Sequence, residues 1–522
     1  MLKETDKKNI EKTKKCSIKD GAAWSVMYGF GEQYIVPFAL KLGATASQIG
    51  ILSSVPAFIG SLFQVAGAKL TDKYSSRKKI VTIFVFFQAL LMIPLFILPF
   101  ITKNFLVLTL LFTIYYIFAN IVGPAWSSWI SDVVDEKERS LYFGRRNKIV
   151  IISTMISVLI AGIILNYFEK INIWIGFGVL FSIAFIGRLI SWYYLIKQFE
   201  PKYTSPEKET FLSFIKNMQN TNFGNFIIFR SLMAFSIMIA GPFFAVFMLK
   251  EAGFSYIQYT ILILVPMASK ALTMTYWGKY ANKYGTRNIL VISGAGVALI
   301  PLFWFLAGYL FSDYILFYLL IIIEIFSGFA WAGFELTTFN YVIETVSPEK
   351  RARSFAYFNL IFGTLVLLGG LSGSFLINKL PNWGSKILLL FLISAIMRLI
   401  VITVFSSKIK EVKVSRRINE NKLFFELIIA KPVNYAITHT SITFLNTERD
   451  VKNFVDTTKD KLLYHSKPAL KKIDKTLDKL NSIKEKIEPE KLKKYRKKAY
   501  QELTDTNINK KLEKFYNKKR KK

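Results

Sequence analysis

Histidine is nearly missing from this 522-residue chain: His439 and His465 both lie in its last fifth, so no imidazole serves the apolar remainder. Cysteine occurs once, at Cys16, which excludes an intrachain disulfide and argues against a thiolate zinc site. No G-x-x-x-x-G-K-[ST] run occurs, which argues against a P-loop ATPase. The opening residues MLKETDKKNIEKTKK have neither the apolar run nor the cleavage site of a secretory signal. Charge is also scarce, 20% of residues where soluble domains carry about 25%. Apolar residues reach 52% and mean hydropathy is +0.35. No acid–base–nucleophile set or metal-ligand cluster stands out, so neither an enzyme, a metal nor a cofactor is expected. The reading is a polytopic membrane protein.

A helix rises about 1.5 Å per residue, so roughly 20 apolar residues cross a hydrocarbon core of about 30 Å. Twelve segments meet or approach that length. They are 21–40, 48–66, 80–100, 105–130, 149–167 and 173–196, then 226–249, 257–277, 289–311, 314–339, 355–377 and 387–405. Such continuous runs lack the period-two alternation of barrel strands, so helices are predicted. Loops after even-numbered spans, up to the tenth, hold 20 Lys and Arg; loops after odd-numbered spans hold 6. The positive-inside rule puts the basic loops and both termini in the cytoplasm, with the cell membrane as the expected location. The predicted divisions are an N-terminal tail (1–17), two six-helix bundles (18–196 and 223–406), a linker between them (197–222) and a tail (407–522).

The chain repeats itself at an offset near 210 residues. AKLTDKYSSRKKI at 68–80 faces GKYANKYGTRNIL at 278–290, pairing Asp72 with Asn282 and Arg77 with Arg287. Pro56 pairs with Pro266, and RLI at 188–190 with RLI at 398–400. ISDVVDEKERSLYFGRRN at 130–147 meets VIETVSPEKRARSFAYFN at 342–359, placing Asp132 on Glu344, Arg139 on Arg351 and Asn147 on Asn359. Two halves of like orientation are related by an axis along the membrane normal, as in transporters that bind substrate between halves.

On these residues the chain resembles the major facilitator superfamily of secondary transporters, over 18–406. The family's loop pattern, approximately G-x-L-x-D-x-x-G-R-[RK], keeps Leu70, Asp72 and Arg77 here, with Ala68 and Ser75 at the usual glycine places. The second copy keeps Gly278, Gly285 and Arg287, with Asn282 for the aspartate. The resemblance implies an all-α membrane protein, twelve transmembrane helices in two pseudo-symmetric halves, with spans 1, 4, 7 and 10 lining a central cavity. It also implies that Asp72 meets the N-terminus of span 11 as a conformational latch, a contact of about 0.3–1 kcal/mol. Asn282 is a weaker counterpart at span 5, and Arg77, Arg287, Arg139 and Arg351 complete the gating set.

Polar faces fall on the expected lining spans. Ser25, Tyr28 and Glu32 share one face of span 1; Tyr116, Asn120 and Ser127 share one of span 4; Glu324, Gly328, Trp331 and Glu335 share one of span 10. A carboxylate held from water near the bilayer midplane can exchange protons near neutral pH, so Glu32 and Glu324 are the candidate proton carriers. Lys270 and Arg230 are available cations; Lys270 suits an anionic group or a pair with Glu32 or Glu324. Arg188 and Arg398, at matched positions, read as scaffold. Pro37, Pro56, Pro242 and Pro266 are predicted kinks. Phe243, Phe244, Trp126, Trp129 and Trp331 are available for an aromatic wall, though most aromatics in such a chain pack or face lipid.

The tail from 407 holds 32 Lys and Arg against 15 Asp and Glu, a net +17 and half of the chain's +34. It is read as basic and helical, lying against anionic lipid headgroups, with nucleic acid not expected as a partner. The leading functional reading is a monomeric secondary transporter moving a small solute by alternating access, driven by an ion gradient, with protons as the candidate ion, or by the solute's own gradient. The alternative is a receptor or scaffold on a transporter fold, acting through the tail.

Overall fold

Gly31 interrupts the first span. In the computed structural model, which describes residues 4–201, 211–218, 221–346, 351–381 and 384–412, α1 (Glu4–Phe30) stops there. The Gly31 amide bonds the carbonyl of Met27, a 3-10 turn covers Glu32–Tyr34, and the short α2 (Ile35–Lys41) follows. The matched residue of the second half, Gly241, breaks the seventh span: α10 (Asn222–Ala240) ends, Pro242 intervenes, and α11 (Phe243–Val246) runs into a π-turn over Phe247–Glu251. Pro37 therefore falls after a break that glycine makes. Pro56 and Pro266 sit inside the continuous helices α3 (Ala46–Tyr74) and α12 (Tyr256–Tyr284). Both of these open with a capping box at matched positions, Thr45 with Gln48 and Ser255 with Gln258.

The remaining elements of the first half are α4 (Arg77–Leu90), α5 (Met92–Ile101), α6 (Phe105–Val133), α7 (Glu136–Phe168) and α8 (Ile173–Ile196). Those of the second are α13 (Thr286–Leu310), α14 (Asp313–Thr345), α15 (Arg351–Lys379) and α16 (Lys386–Ser406). In the linker, α9 (Phe211–Met218) sets its Phe214 against Tyr357 at 5.0 Å. No strand occurs among the described residues. Eleven helices, counting α4–α5 as one, are long and apolar enough to cross a membrane. The expected first span fails that test as a single helix because Gly31 divides it and α1 begins in polar sequence. It completes the twelve as a broken span packed on α7 and α8.

The repeat reappears as packing. In the first half α1 packs on α7 and α8, α3 on α6, and α4 on α6 and α8. In the second α10 packs on α15 and α16, α12 on α14, and α13 on α14 and α16. These are the same pairings six spans later.

The halves meet along two seams, α3 with α15 and α7 with α12. Small residues let the backbones approach. A Cβ on Gly50 would lie 2.0 Å from Ser374 Oγ, and one on Gly162 would lie 2.0 Å from Thr260 Oγ1. All four lie toward the end of the bundle away from the basic loops.

Candidate functional site

At the basic-loop end, Arg77 opens α4 and is 1% exposed. Its guanidinium reaches Asp132 at 2.5 Å and the Ser128 hydroxyl at 3.1 Å, both on α6. Its amide donates to Glu200 at 2.6 Å, and Ser76 Oγ donates to the same carboxylate at 2.7 Å. Arg287 repeats the arrangement: its amide donates to Glu411 at 3.0 Å and its side chain to the carbonyls of Ile409, at 3.2 Å, and Ser406. Thr286 donates to Glu344 at 3.0 Å, the residue matched to Asp132. Glu200 and Glu411 escaped the sequence reading. The signal was there, since E-P-K at 200–202 meets E-V-K at 411–413 under nearly the same offset.

The turn between the paired helices explains the degraded glycine pattern. Ser75 adopts the left-handed φ of +49°, and Gly285 at the same turn of the second half has φ +94°. Asp72 is half-buried and Asn282 exposed, each in the last turn of its helix. Arg139 lies in the first turn of α7 and Arg351 opens α15, so the matched pair occupies equivalent places.

Glu32 lies at mid-span, in the turn that follows Gly31. Tyr115 donates to Oε2 at 2.8 Å and Tyr116 to Oε1 at 3.2 Å. One turn further along α6, Asn120 donates to the Tyr116 carbonyl at 2.9 Å and accepts from Gln64 of α3 at 2.7 Å. Asn359 of α15 donates to the Gln64 side chain at 3.3 Å. A chain of polar contacts thus runs from Glu32 through α6 and α3 into the other half. Tyr115 and Gln64 were not singled out from the sequence, because each looks like an ordinary polar residue on an apolar helix. Past Asn120 on the same face, Gly123 and Ser127 are exposed, and a Cβ at Gly123 would meet nothing within 4 Å.

The expected span-1 face is divided. Ser25 turns to α7, donating to the carbonyls of Gly21 at 2.8 Å and Val150 at 3.1 Å. Tyr28 stacks on Trp24 with centroids 5.2 Å apart. The helix ends before Glu32, which leaves its carboxylate free to turn toward α6.

The span-10 face is divided as well. Glu324 is buried and accepts from Trp304 of α13 at 2.9 Å, so it points away from Glu32. Lys270 pairs with Glu335, not with Glu32 or Glu324, because α12 and α14 run side by side there. Trp331 is half-buried, its ring 5.9 Å from that of Phe334. Arg230 of α10 lies between the rings of Phe334 and Phe362, at 5.1 and 4.7 Å.

Arg188 donates to Gln88 and Ser191, and Arg398 to the carbonyls of Val297 and Ile237. The aromatic wall does not assemble from its five candidates. Phe243 is buried, Phe244 stacks on Phe391, Trp129 donates to the Phe199 carbonyl, and Trp126 carries Arg146 over its ring at 4.2 Å. The described residues contain no cluster of three or more His, Cys, Asp or Glu suited to a metal. The tail readings fall on 413–522, outside the described residues.

Two like halves of six spans, meeting along paired seams around a polar network that runs from mid-span Glu32 toward the basic-loop end, define a multi-pass membrane protein of transporter class. The family model for the Major Facilitator Superfamily matches residues 22–334 and 226–447, and the chain belongs to that family. No curated protein matches it. Among solved structures it is similar to a mutant of the nucleoside transporter NupG, with TM-score 0.62 and 17% identity over 76% of this chain and 100% of that one. It is also similar to a bacterial homologue of the iron transporter ferroportin in an inward-facing state (TM-score 0.57, 12% identity, 76% and 98% covered). A bacterial homologue of the human lysosomal transporter Spinster, inward-facing and unoccupied, is a third (0.54, 15%, 78% and 97%).

Proposed function

We propose that this chain is a secondary transporter that moves a small solute by alternating access, with Glu32 exchanging protons when a proton gradient drives it. The observation that carries the reading is the polar chain from Glu32 to Asn359. It crosses between the halves at Gln64 and Asn359, toward the basic-loop end, while small-residue seams hold them at the opposite end. Two phenols donate to the Glu32 carboxylate, so losing or gaining a proton there changes its hold on α6, the helix whose Asn120 reaches Gln64 and through it the opposite half. Glu324, bonded to Trp304 on α13, is a structural carboxylate in this reading. Trp331 and the Lys270–Glu335 pair line the route on the other side. Asp72 and Asn282 act as latches at the basic end, which faces the cytoplasm, with Arg77, Arg287, Arg139 and Arg351 fixing the turns around them. The working unit is a monomer, and the basic tail rests on anionic lipid.

The test is uptake into proteoliposomes under an imposed pH gradient, screened over small solutes. The wild type and Glu324→Gln respond to the gradient; Glu32→Gln exchanges solute without responding. An equal gradient response in Glu32→Gln removes the proton role. For alternating access, Ser47→Cys with Ser374→Cys in a Cys16→Ser background bridges the α3–α15 seam, where Ser47 Oγ and the Ser374 carbonyl are 3.0 Å apart. Oxidation stops uptake and reductant restores it; undiminished uptake through a locked seam sinks the mechanism.

A further inference from the structure

Two of the three guanidinium nitrogens of Arg230 lack an acceptor. Among the described residues, neither its Nε nor its Nη1 has a hydrogen-bond partner, although both atoms are buried. The other deeply placed arginines of the bundle have acceptors: Arg77 has Asp132 and Glu200, Arg188 has Gln88 and Ser191, and Arg398 has two carbonyls, with only its Nε unpaired. The repeat sharpens the contrast. The residue matched to Arg230 is Asp20, which accepts from Ser191 at 2.7 Å and faces Arg146 at 3.8 Å. One half thus supplies its own anion where the other holds a cation alone. The flanking Phe334 and Phe362 rings attract the guanidinium by its charge but accept none of its N–H groups in the plane. An unmatched charge in a membrane span marks a functional site by default.

The surroundings point to what completes it. Phe362 lies about one turn along α15 from Asn359, which reaches Gln64 and so the central polar chain. Glu335 follows Phe334 directly in α14, next to the ring that flanks Arg230. Its charge is offset by Lys270, so it does not repel an incoming anion. We infer that Arg230 is the binding site for an oxyanion, a carboxylate or phosphate carried by the solute, with the Phe334 and Phe362 rings holding the guanidinium plane for two-point contact. This rests on the transporter reading and narrows its substrate class to organic anions.

The test uses the purified full chain in detergent, titrated with benzoate, phenyl phosphate and the neutral benzyl alcohol, followed by calorimetry and thermal shift. The expected result is saturable binding of at least one anion and none of benzyl alcohol. Arg230→Gln weakens that binding at least tenfold while the elution profile stays monodisperse. Should Arg230→Gln not fold, Arg230→Lys is read instead: it keeps the anion preference with affinity lowered several-fold. The benzoate and phenyl phosphate arms distinguish carboxylate from phosphate. The inference is overturned if neither anion saturates the wild type, if benzyl alcohol binds as well, or if the arginine variants bind unchanged. A chain that passes the seam cross-linking test yet binds no anion overturns this inference alone.

Discussion

The hydroxyl of Tyr34 lies 2.7 Å from Oγ1 of Thr260, joining the first span of one half to the second span of the other. Tyr34 is also 2.8 Å from the Val158 carbonyl, and Thr260 is 2.7 Å from that of Tyr256. Two hydroxyl protons therefore serve three contacts, and a hydrogen bond crosses the seam whenever one hydroxyl donates to the other instead of to the carbonyl of its own half. Both side chains are fully buried.

Thr260→Val keeps the shape and removes that bond. The loss is about 1 kcal/mol, enough to shift the opening of this seam roughly fivefold. With Cys16→Ser and Ser47→Cys as the reporter on the companion α3–α15 seam, which parts with it when the halves open at this end, maleimide labelling at position 47 is expected to quicken by that factor. An unchanged rate means the contact does not hold the seam.

Gly162→Ala acts on the same seam from the α7 side. Its new Cβ falls 2.0 Å from Thr260 Oγ1, so the helices must part, at a cost of about 1–3 kcal/mol. The same labelling assay should respond more strongly than to Thr260→Val. Adding Thr260→Gly, which also removes the Cβ 2.6 Å away, should restore much of the original rate; failure of that rescue shows that the clash is not the cause.

At the basic end, Arg77→Ala leaves Glu200 without its guanidinium and Asp132 without its partner. Asp132 is 52% exposed, so the loss sits below the roughly 3–5 kcal/mol of a fully buried pair. A melting temperature lowered by several degrees in detergent is expected, with a smaller drop for Glu200→Gln, which retains an acceptor oxygen. Equal melting of Arg77→Ala and wild type contradicts the structural weight given to this cluster.

Ser75 pays for a left-handed φ that Gly285 adopts freely. Ser75→Gly should stabilise the chain by up to about 1 kcal/mol, and Gly285→Ala should destabilise it. Thermal unfolding of the pair checks the signs, and a lowered melting point for Ser75→Gly goes against the strain argument.

The span count, the repeat and the family were legible because each rests on long averages: 20-residue apolar windows and matched loops summed over two copies. Finer placements were not. Facing by i, i+4 and i+7 assumes an unbroken helix, and Gly31 ends one just before Glu32, so Ser25 and Glu32 diverged. On α14 the periodicity held, but α12 and α13 flank that helix, so Glu324 found Trp304 while Glu335 found Lys270. Spacing along one helix carries no information on which neighbour lies opposite. Gln64 and Asn120 show the same limit, since their contact depends on how α3 meets α6.

The matched breaks at Gly31 and Gly241 have a bearing on solvent. Backbone that leaves the helical ladder inside a bilayer must find partners in protein or in water. Pro242 has no amide hydrogen to place, and the Ile237 carbonyl is claimed by Gly241 and Arg398. The turn over Glu32–Tyr34 carries amides, a carboxylate and a phenol with no proline to reduce the demand. Hydration is therefore expected to be lopsided, with a wet elbow in the first half and a dry one in the second.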